Sequence, residues 1–507
     1  MSVLAASRAR RLFEGWSANL VQMMLGMTQQ VALIPVFLHF WTSDVLAAWL
    51  AIYAAGNLVL IADAGLQLRA VNRFFAFKSS IDSDGRTARF YAAMLRIYWA
   101  VAVTLVALLL GGTFLLPPSA VLGFQATPDF DVAFIVMTAG MLLAVPAHLV
   151  SGLYRTRGLY GRAVRLQSWA MLVAQVGQLV AIVTTSSLLA VSVVYVATQL
   201  LLLIYLLTID APRLFPFLRG ARGTVSLRWS FGQFRNAFPF AVANVTELAL
   251  LNLPVLLVSA FVSDRVAVAQ WGLTRIAAGL LRGLCTQATL PLAAELGHDY
   301  AVGMKRELQN LYARGSVLIT LLASLVVSGL LPFWPDFFAL WTHGTIPYDP
   351  WLTVTLLLGT SAVAPAILAL GYANYTNRGG LLVRTKGLQL ALFLVLSLVL
   401  IPPFGPLGAA VAIVASDLLV QFGLLATVII GQTLQHPLRH VSFLLAVMGA
   451  VTLCGWALGS AIRLTVPGTG LVRFTLECVI WLAAVALIAS PLLSKGLRDR
   501  LVAAIPG

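Results

Sequence analysis

The sequence predicts an all-α polytopic membrane protein with about 14 transmembrane helices, the first twelve of them duplicated. Three observations lead there. The 507-residue chain is 60% hydrophobic and only 10% charged, where a soluble domain carries about 25% charged residues. Apolar runs of bilayer-spanning length recur along it, since about 20 residues of helix cover the hydrocarbon core. Lys and Arg gather in alternate loops, the positive-inside pattern.

Taken in order, the spans fall at roughly 17–40, 45–67, 91–116, 130–153, 164–185, 188–209, 236–261, 266–297, 314–333, 351–374, 385–402, 407–431, 441–462 and 471–493. The basic start Arg8, Arg10, Arg11 leads into a full-length span, with no secretory cleavage site. Arg69, Arg73, Lys78, Arg86, Arg89 and Arg96 follow span two, and Arg155, Arg157, Arg162 and Arg165 follow span four. The same side receives Arg213 to Arg235, Lys305, Arg306, Arg314, Arg378, Arg384, Lys386, Arg439, Lys495, Arg498 and Arg500. Arg265, Arg463 and Arg473 are left for the opposite side, and Arg275 and Arg282 lie inside a span. That split sets both termini in the cytoplasm and supports an even span count. The net charge of +15 is therefore read as topology and attraction to anionic lipid headgroups, with no nucleic-acid partner.

The outer loops are short, and the one near 334–350 is rich in interfacial aromatics (Trp334, Trp341, Tyr348). Ser43-Asp44 after span one recurs as Ser263-Asp264 after span seven, and Gly85-Arg86 before span three recurs as Gly303-Met304-Lys305-Arg306 before span nine. A six-span offset makes the repeats parallel. The expected units are an N-terminal lobe 1–210, a cytoplasmic linker 211–233, a C-terminal lobe 234–433, and spans 13 and 14 with a tail over 434–507.

The stretch from Asn236 to His298 organises the functional reading. Span seven carries Asn244, Glu247 and Asn252; span eight carries Arg275 and Arg282. A charge at the bilayer centre costs ~2.5–3.5 kcal/mol on insertion scales, so none of these should face lipid. Seven residues make nearly two helical turns, which puts the two arginines on one face, with Gly279, Thr286 and Thr289 in the same stripe. Folding about Val262–Arg265 would set Asn252 level with Arg275, and Glu247 close to Arg282. A structural ion pair and a water-filled, anion-attracting cavity both fit; two cations against one acid favour the cavity. Asn19, Gln22 and Gln29 share a face of span one, and Gln167 and Gln178 share a face of span five. They suit sugar hydroxyls, or else interhelical hydrogen bonds. Asp417, Glu247 and Asp63 are the acids placed to couple transport to a proton or sodium gradient, although Asp63 also sits near Arg69 and Arg73. Glu477 stands four residues from Arg473, a surface pair at helix spacing.

Other chemistries lack their motifs. There is no Gly-rich loop ending in Gly-Lys-Ser/Thr, no His-Glu-x-x-His and no His/Cys cluster at metal spacing. No catalytic residue, metal or cofactor is expected. Cys285, Cys454 and Cys478 read as buried small hydrophobes, and the six histidines mostly as span-end groups.

The stretch Leu400-Ile401-Pro402-Pro403-Phe404-Gly405-Pro406-Leu407-Gly408-Ala409-Ala410-Val411-Ala412 resembles the turn between spans 11 and 12 of bacterial polysaccharide flippases, in the multidrug/oligosaccharidyl-lipid/polysaccharide exporter superfamily. Ala62-Asp63-Ala64-Gly65-Leu66 and Asn374-Tyr375-Thr376-Asn377-Arg378-Gly379 resemble the ends of spans two and ten in that family. One departure is Pro406, where the family usually has a β-branched residue. The resemblance, over roughly 15–431, implies two six-helix lobes around a central cavity and no enzymatic activity. It implies alternating access that flips a polyprenyl-diphosphate-linked oligosaccharide to the outer leaflet for O-antigen or exopolysaccharide assembly. The extra helix pair would then form a groove for the lipid tail, and a polysaccharide polymerase or ligase would act downstream.

The residues make the same case separately. A diphosphate needs planar, permanently charged donors, which Arg275 and Arg282 supply. The alternatives are a cation-coupled multidrug exporter, a flippase for the peptidoglycan lipid precursor, and an integral-membrane glycosyltransferase or polymerase. An Arg-rich cavity suits cationic drugs poorly, and the scattered acids Asp44, Asp129, Asp131, Asp336 and Asp349 offer an enzyme little.

Overall fold

A computed structural model describes residues 8–63, 65–77, 84–157, 159–220, 223, 225–376, 378–468 and 470–490, with backbone only at 8–16, 19, 30, 75, 76, 291, 294, 298 and 301. Ala64, Asn377 and the side chain of Asn19 therefore lie outside the described residues. The chain is helical along nearly its whole length: α1 Arg8–Val31, α2 Leu33–Phe40, α3 Ser43–Leu58, α4 Leu66–Phe77, α5 Arg86–Leu115, α6 Pro118–Leu122 and α7 Phe130–Ala144. There follow α8 Ala147–Thr156, α9 Tyr160–Thr185, α10 Leu188–Tyr205, α11 Ala211–Leu214, α12 Leu227–Phe261, α13 Arg265–Val302 and α14 Lys305–Trp341. The last are α15 Pro350–Tyr375, α16 Gly379–Ser416, α17 Thr427–Thr433, α18 Pro437–Thr465 and α19 Gly470–Ala489. Side-chain caps start several of them, Thr42 on α3, Ser187 on α10, Ser226 on α12 and Asp349 on α15, each accepting from a first-turn N–H.

Among the described residues, twelve stretches are long and apolar enough to cross a membrane. One of them, Gly379–Thr433, is 55 residues long and holds the eleventh and twelfth expected spans. Adding α13, which its polar residues keep out of that set, gives the fourteen. The chain is an all-α, multi-pass membrane protein.

It divides into two compact units, Met1–Arg265 and Val266–Gly507. In the first, α3 packs on α7 and α12, α4 on α8 and α12, and α9 on α1 and α10. The seventh span, grouped with the C-terminal lobe by the repeat arithmetic, thus packs on the second span. Its fit there depends on Gly65, which turns the chain between Val59–Asp63 and α4 with φ +70. A Cβ at Gly65 would lie 2.6 Å from the Ala241 nitrogen and 2.8 Å from the Ala237 oxygen on α12. Gly65→Ala should therefore lower stability by on the order of 2 kcal/mol, read as a fall in the detergent-solubilised melting temperature, through overpacking and left-handed strain together.

In the second unit, α14 packs along α15 and α18, and α15 on α16. The Pro/Gly turn divides α16 into two helical segments, breaking the helix at Gly405. Pro402, Pro403 and Pro406 withhold N–H groups, and Gly405 adopts φ 55, ψ −131, open only to glycine. The two units share a local device: Gly85 (φ 68) precedes α5 and Gly303 (φ 81) precedes α14.

Two expectations are corrected. Among the cysteines, Cys285 is buried, but Cys454 is exposed and Cys478 half-buried, as a thiol tolerates an apolar surface. His440 is no solvated span-end group: it is fully buried, its Nε2 2.8 Å from the Ser316 hydroxyl between α14 and α18.

Candidate functional site

Arg275 and Arg282 stand two turns apart on α13, about 10 Å along its axis, and both are half-buried. Between and beyond them the helix face is open. A Cβ added at Gly279 or Gly283 would meet nothing within 4 Å, and Thr286 is exposed with its hydroxyl donating to the Arg282 carbonyl at 2.8 Å. The small, polar, cationic track is thus present over 275–286. Thr289 departs from it: the side chain is buried, its methyl facing Gly371 of α15.

Arg282 belongs to a network built by α13, α16 and the π-helical stretch Asp417–Ala426. Its Nη1 donates to Asp417 Oδ2 at 2.9 Å and its Nη2 to Gln421 Oε1 at 3.5 Å. The Gln389 amide donates to the other Asp417 oxygen and, at 3.4 Å, to Gln421 Oε1. Lys386 Nζ donates to Gln389 Oε1 at 3.0 Å and to Gln421 Oε1 at 3.1 Å. Lys386 is only 1% exposed, whereas the sequence grouped it with the cytoplasmic loop cations. Burying an ammonium is costly unless oxygens replace its water, and the two glutamine oxygens do so. The π register places Asp417 and Gln421 at the start of a local widening of the helix, a distortion that clusters at functional sites. The cluster carries Arg282 and Lys386 against Asp417. The sequence assigned Arg282 to phosphate and Asp417 to coupling as separate roles; the structure makes them partners.

The first unit holds the other singled-out residues. Asn252 is buried and donates to the Leu248 carbonyl of its own helix at 3.1 Å. Asn244, Glu247, Gln22 and Gln29 are half-buried. Gln167 reaches Ser151 Oγ at 3.4 Å. Gln178 is fully buried, and neither amide atom has a partner among the described residues. Its neighbour Gln175 donates to the Leu25 carbonyl at 2.8 Å, joining α9 to α1. Asp63 is buried, accepting from the Tyr98 hydroxyl and the Gln67 N–H, with His148 Nδ1 at 3.9 Å. No ion pair to Arg69 or Arg73 is present among the described residues, since α4 turns away and Arg69 donates to Gln233 of α12 at 3.3 Å.

Lys386, Gln389 and Gln421 are the residues that sequence reasoning passed over. The available signal was helical spacing, Lys386 with Gln389 (i, i+3) and Asp417 with Gln421 (i, i+4), on two consecutive spans. Among the described residues no group of three His, Cys, Asp or Glu side chains could hold a metal ion.

No family model and no curated protein matches the sequence. Solved structures do share its fold. A lipid II flippase MurJ in an inward closed conformation superposes with TM-score 0.67 at 11% identity, over 95% of this chain and 99% of that one. A multidrug resistance MATE family transporter of the MOP superfamily, inward-facing, gives 0.60 at 15% identity, over 84% and 98%. A Vibrio cholerae MATE transporter, VcmN, solved as a point mutant, gives 0.54 at 15%, over 83% and 95%. At these identities the likeness is one of fold: the chain shares the all-α architecture of these structures.

Proposed function

We propose that the chain is a secondary transporter that flips a polyprenyl-diphosphate-linked oligosaccharide from the inner to the outer leaflet of a bacterial cytoplasmic membrane, by alternating access, for surface polysaccharide assembly. The observation that carries this reading is the gathering of cations at α13. Arg282 donates to Asp417, Lys386 joins the same network through Gln389 and Gln421, and Arg275 lies further along the same helix face. Fixed positive charge gathered at a half-buried site attracts an anion, and guanidinium forks match a diphosphate. A polysaccharide polymerase or ligase would then use the delivered glycan, and both termini would stay in the cytoplasm.

A flippase for the peptidoglycan lipid precursor is the second reading, favoured by the superposition on a lipid II flippase and by the same diphosphate chemistry. Export of cationic drugs on this fold is disfavoured by the gathered cations. Arg275→Lys tests the fork against bare charge. It should weaken transport about tenfold, the equivalent of one charge-assisted hydrogen bond of ~1.5 kcal/mol, in a strain lacking its own flippase, at equal protein level. Full activity of the lysine variant would mean that charge alone is read.

A further inference from the structure

One end of the second unit holds two carboxylates that, among the described residues, are each paired on one oxygen. Arg463 on α18 donates to Asp336 Oδ1 on α14 at 2.8 Å, and Arg473 on α19 donates to Glu477 Oε1 at 2.8 Å. The pair Arg473–Glu477 is not the surface contact that its spacing suggested, because Glu477 is 0% exposed. Glu477 Oε2 and Asp336 Oδ2 are both buried and have no donor among the described residues. Asp336, Arg473 and Glu477 line one chamber of about 290 Å³. An adjoining chamber of about 370 Å³ is lined by Leu330, Phe333, Trp334, Phe337 and Trp481, and Phe474 lines both. The Trp334 indole N–H, on the apolar side, also lacks an acceptor among the described residues.

A buried carboxylate oxygen without a donor carries its full desolvation penalty, so the chamber is built for a ligand that brings N–H groups. Two cations and two carboxylates cancel here, and a plain anion gains nothing. A metal ion would find only two carboxylates and, among the described residues, no third ligand. We infer that this cleft between α14 and α19 binds a phospholipid with a primary ammonium headgroup, of the phosphatidylethanolamine class. The ammonium donates to Glu477 Oε2 and Asp336 Oδ2, the phosphate lies toward Arg473, and an acyl chain enters the aromatic chamber. The lipid's ester carbonyls are the acceptors available to Trp334. A quaternary ammonium cannot replace it, because it has no N–H to donate.

The test equilibrates the purified full-length chain in mixed micelles holding equal amounts of phosphatidylethanolamine, phosphatidylcholine and phosphatidylglycerol with identical acyl chains. Lipids retained after stepwise delipidation are counted by native mass spectrometry. The wild type should keep one phosphatidylethanolamine per chain, at least tenfold over either other lipid. Glu477→Gln should lose that preference, as should Ala339→Trp, which fills the polar chamber without touching either ion pair; melting temperatures confirm that the variants are folded. Equal retention of the three lipids by the wild type, or an unchanged preference in a folded variant, overturns the assignment. The readout is bound lipid, so it is independent of whether the chain flips a glycolipid.

Discussion

Replacing Arg282 by alanine should abolish delivery of the lipid-linked glycan, with transport falling by a hundredfold or more to the background of a flippase-deficient strain. Two effects combine. The anion loses one of the two guanidiniums on the α13 track, and Asp417 loses its Arg282 ion pair, keeping the Gln389 amide. Removing one member of a buried pair destabilises a protein by on the order of 3 kcal/mol, so the single variant confounds binding with folding. The double variant Arg282→Ala, Asp417→Ala separates them. It removes one charge of each sign, so the network keeps its original net charge with Lys386 still held by Gln389 and Gln421. Its melting temperature should recover most of the loss, while transport stays at background. Recovery of transport with stability would reduce Arg282 to a strut.

Asp417→Asn should give the second large effect, and with a distinctive signature. The network around Arg282 and Lys386 then loses its carboxylate, and repulsion between the two cations is less offset. The melting temperature should drop by several degrees and rise again with millimolar inorganic pyrophosphate, because an anion that binds only the folded protein stabilises it by mass action. The wild type should respond less, since Asp417 already occupies part of the site. If Asp417 is also the coupling acid, the asparagine variant should transport at a rate indifferent to the proton gradient. A pyrophosphate response equal in variant and wild type would place the anion site away from this network.

The fold was largely legible in the chain. Apolar runs with alternating basic loops give the spans directly, and the Pro402–Gly408 stretch marks the break in α16, because proline and glycine act locally on the backbone. The α13 arginines were legible for a related reason: a charge inside a span must have a polar use. What stayed hidden depends on packing between helices distant in sequence. Lys386 lies close to Arg384 at a span boundary, so its position reads as a cytoplasmic anchor until α16 and the Asp417–Ala426 stretch are brought together. Glu477 reads as half of an exposed pair with Arg473, because sequence spacing does not show that α14 covers it. Asp63 was set beside Arg69 and Arg73 by proximity in the chain, yet its side-chain partners come from α5 and α8, through Tyr98 and His148. The same limit applies to Thr289, which shares a stripe with Arg282 on paper but turns onto α15.

The most direct test reconstitutes the full-length chain in vesicles whose inner leaflet carries a polyprenyl-diphosphate-linked oligosaccharide, and follows the appearance of that sugar to an external lectin. Wild-type protein should expose it at least tenfold faster than protein-free vesicles, and Arg275→Ala, Arg282→Ala, Asp417→Ala protein, folded by its melting temperature, should match the protein-free rate. Equal rates for that variant and the wild type would contradict a diphosphate site on α13.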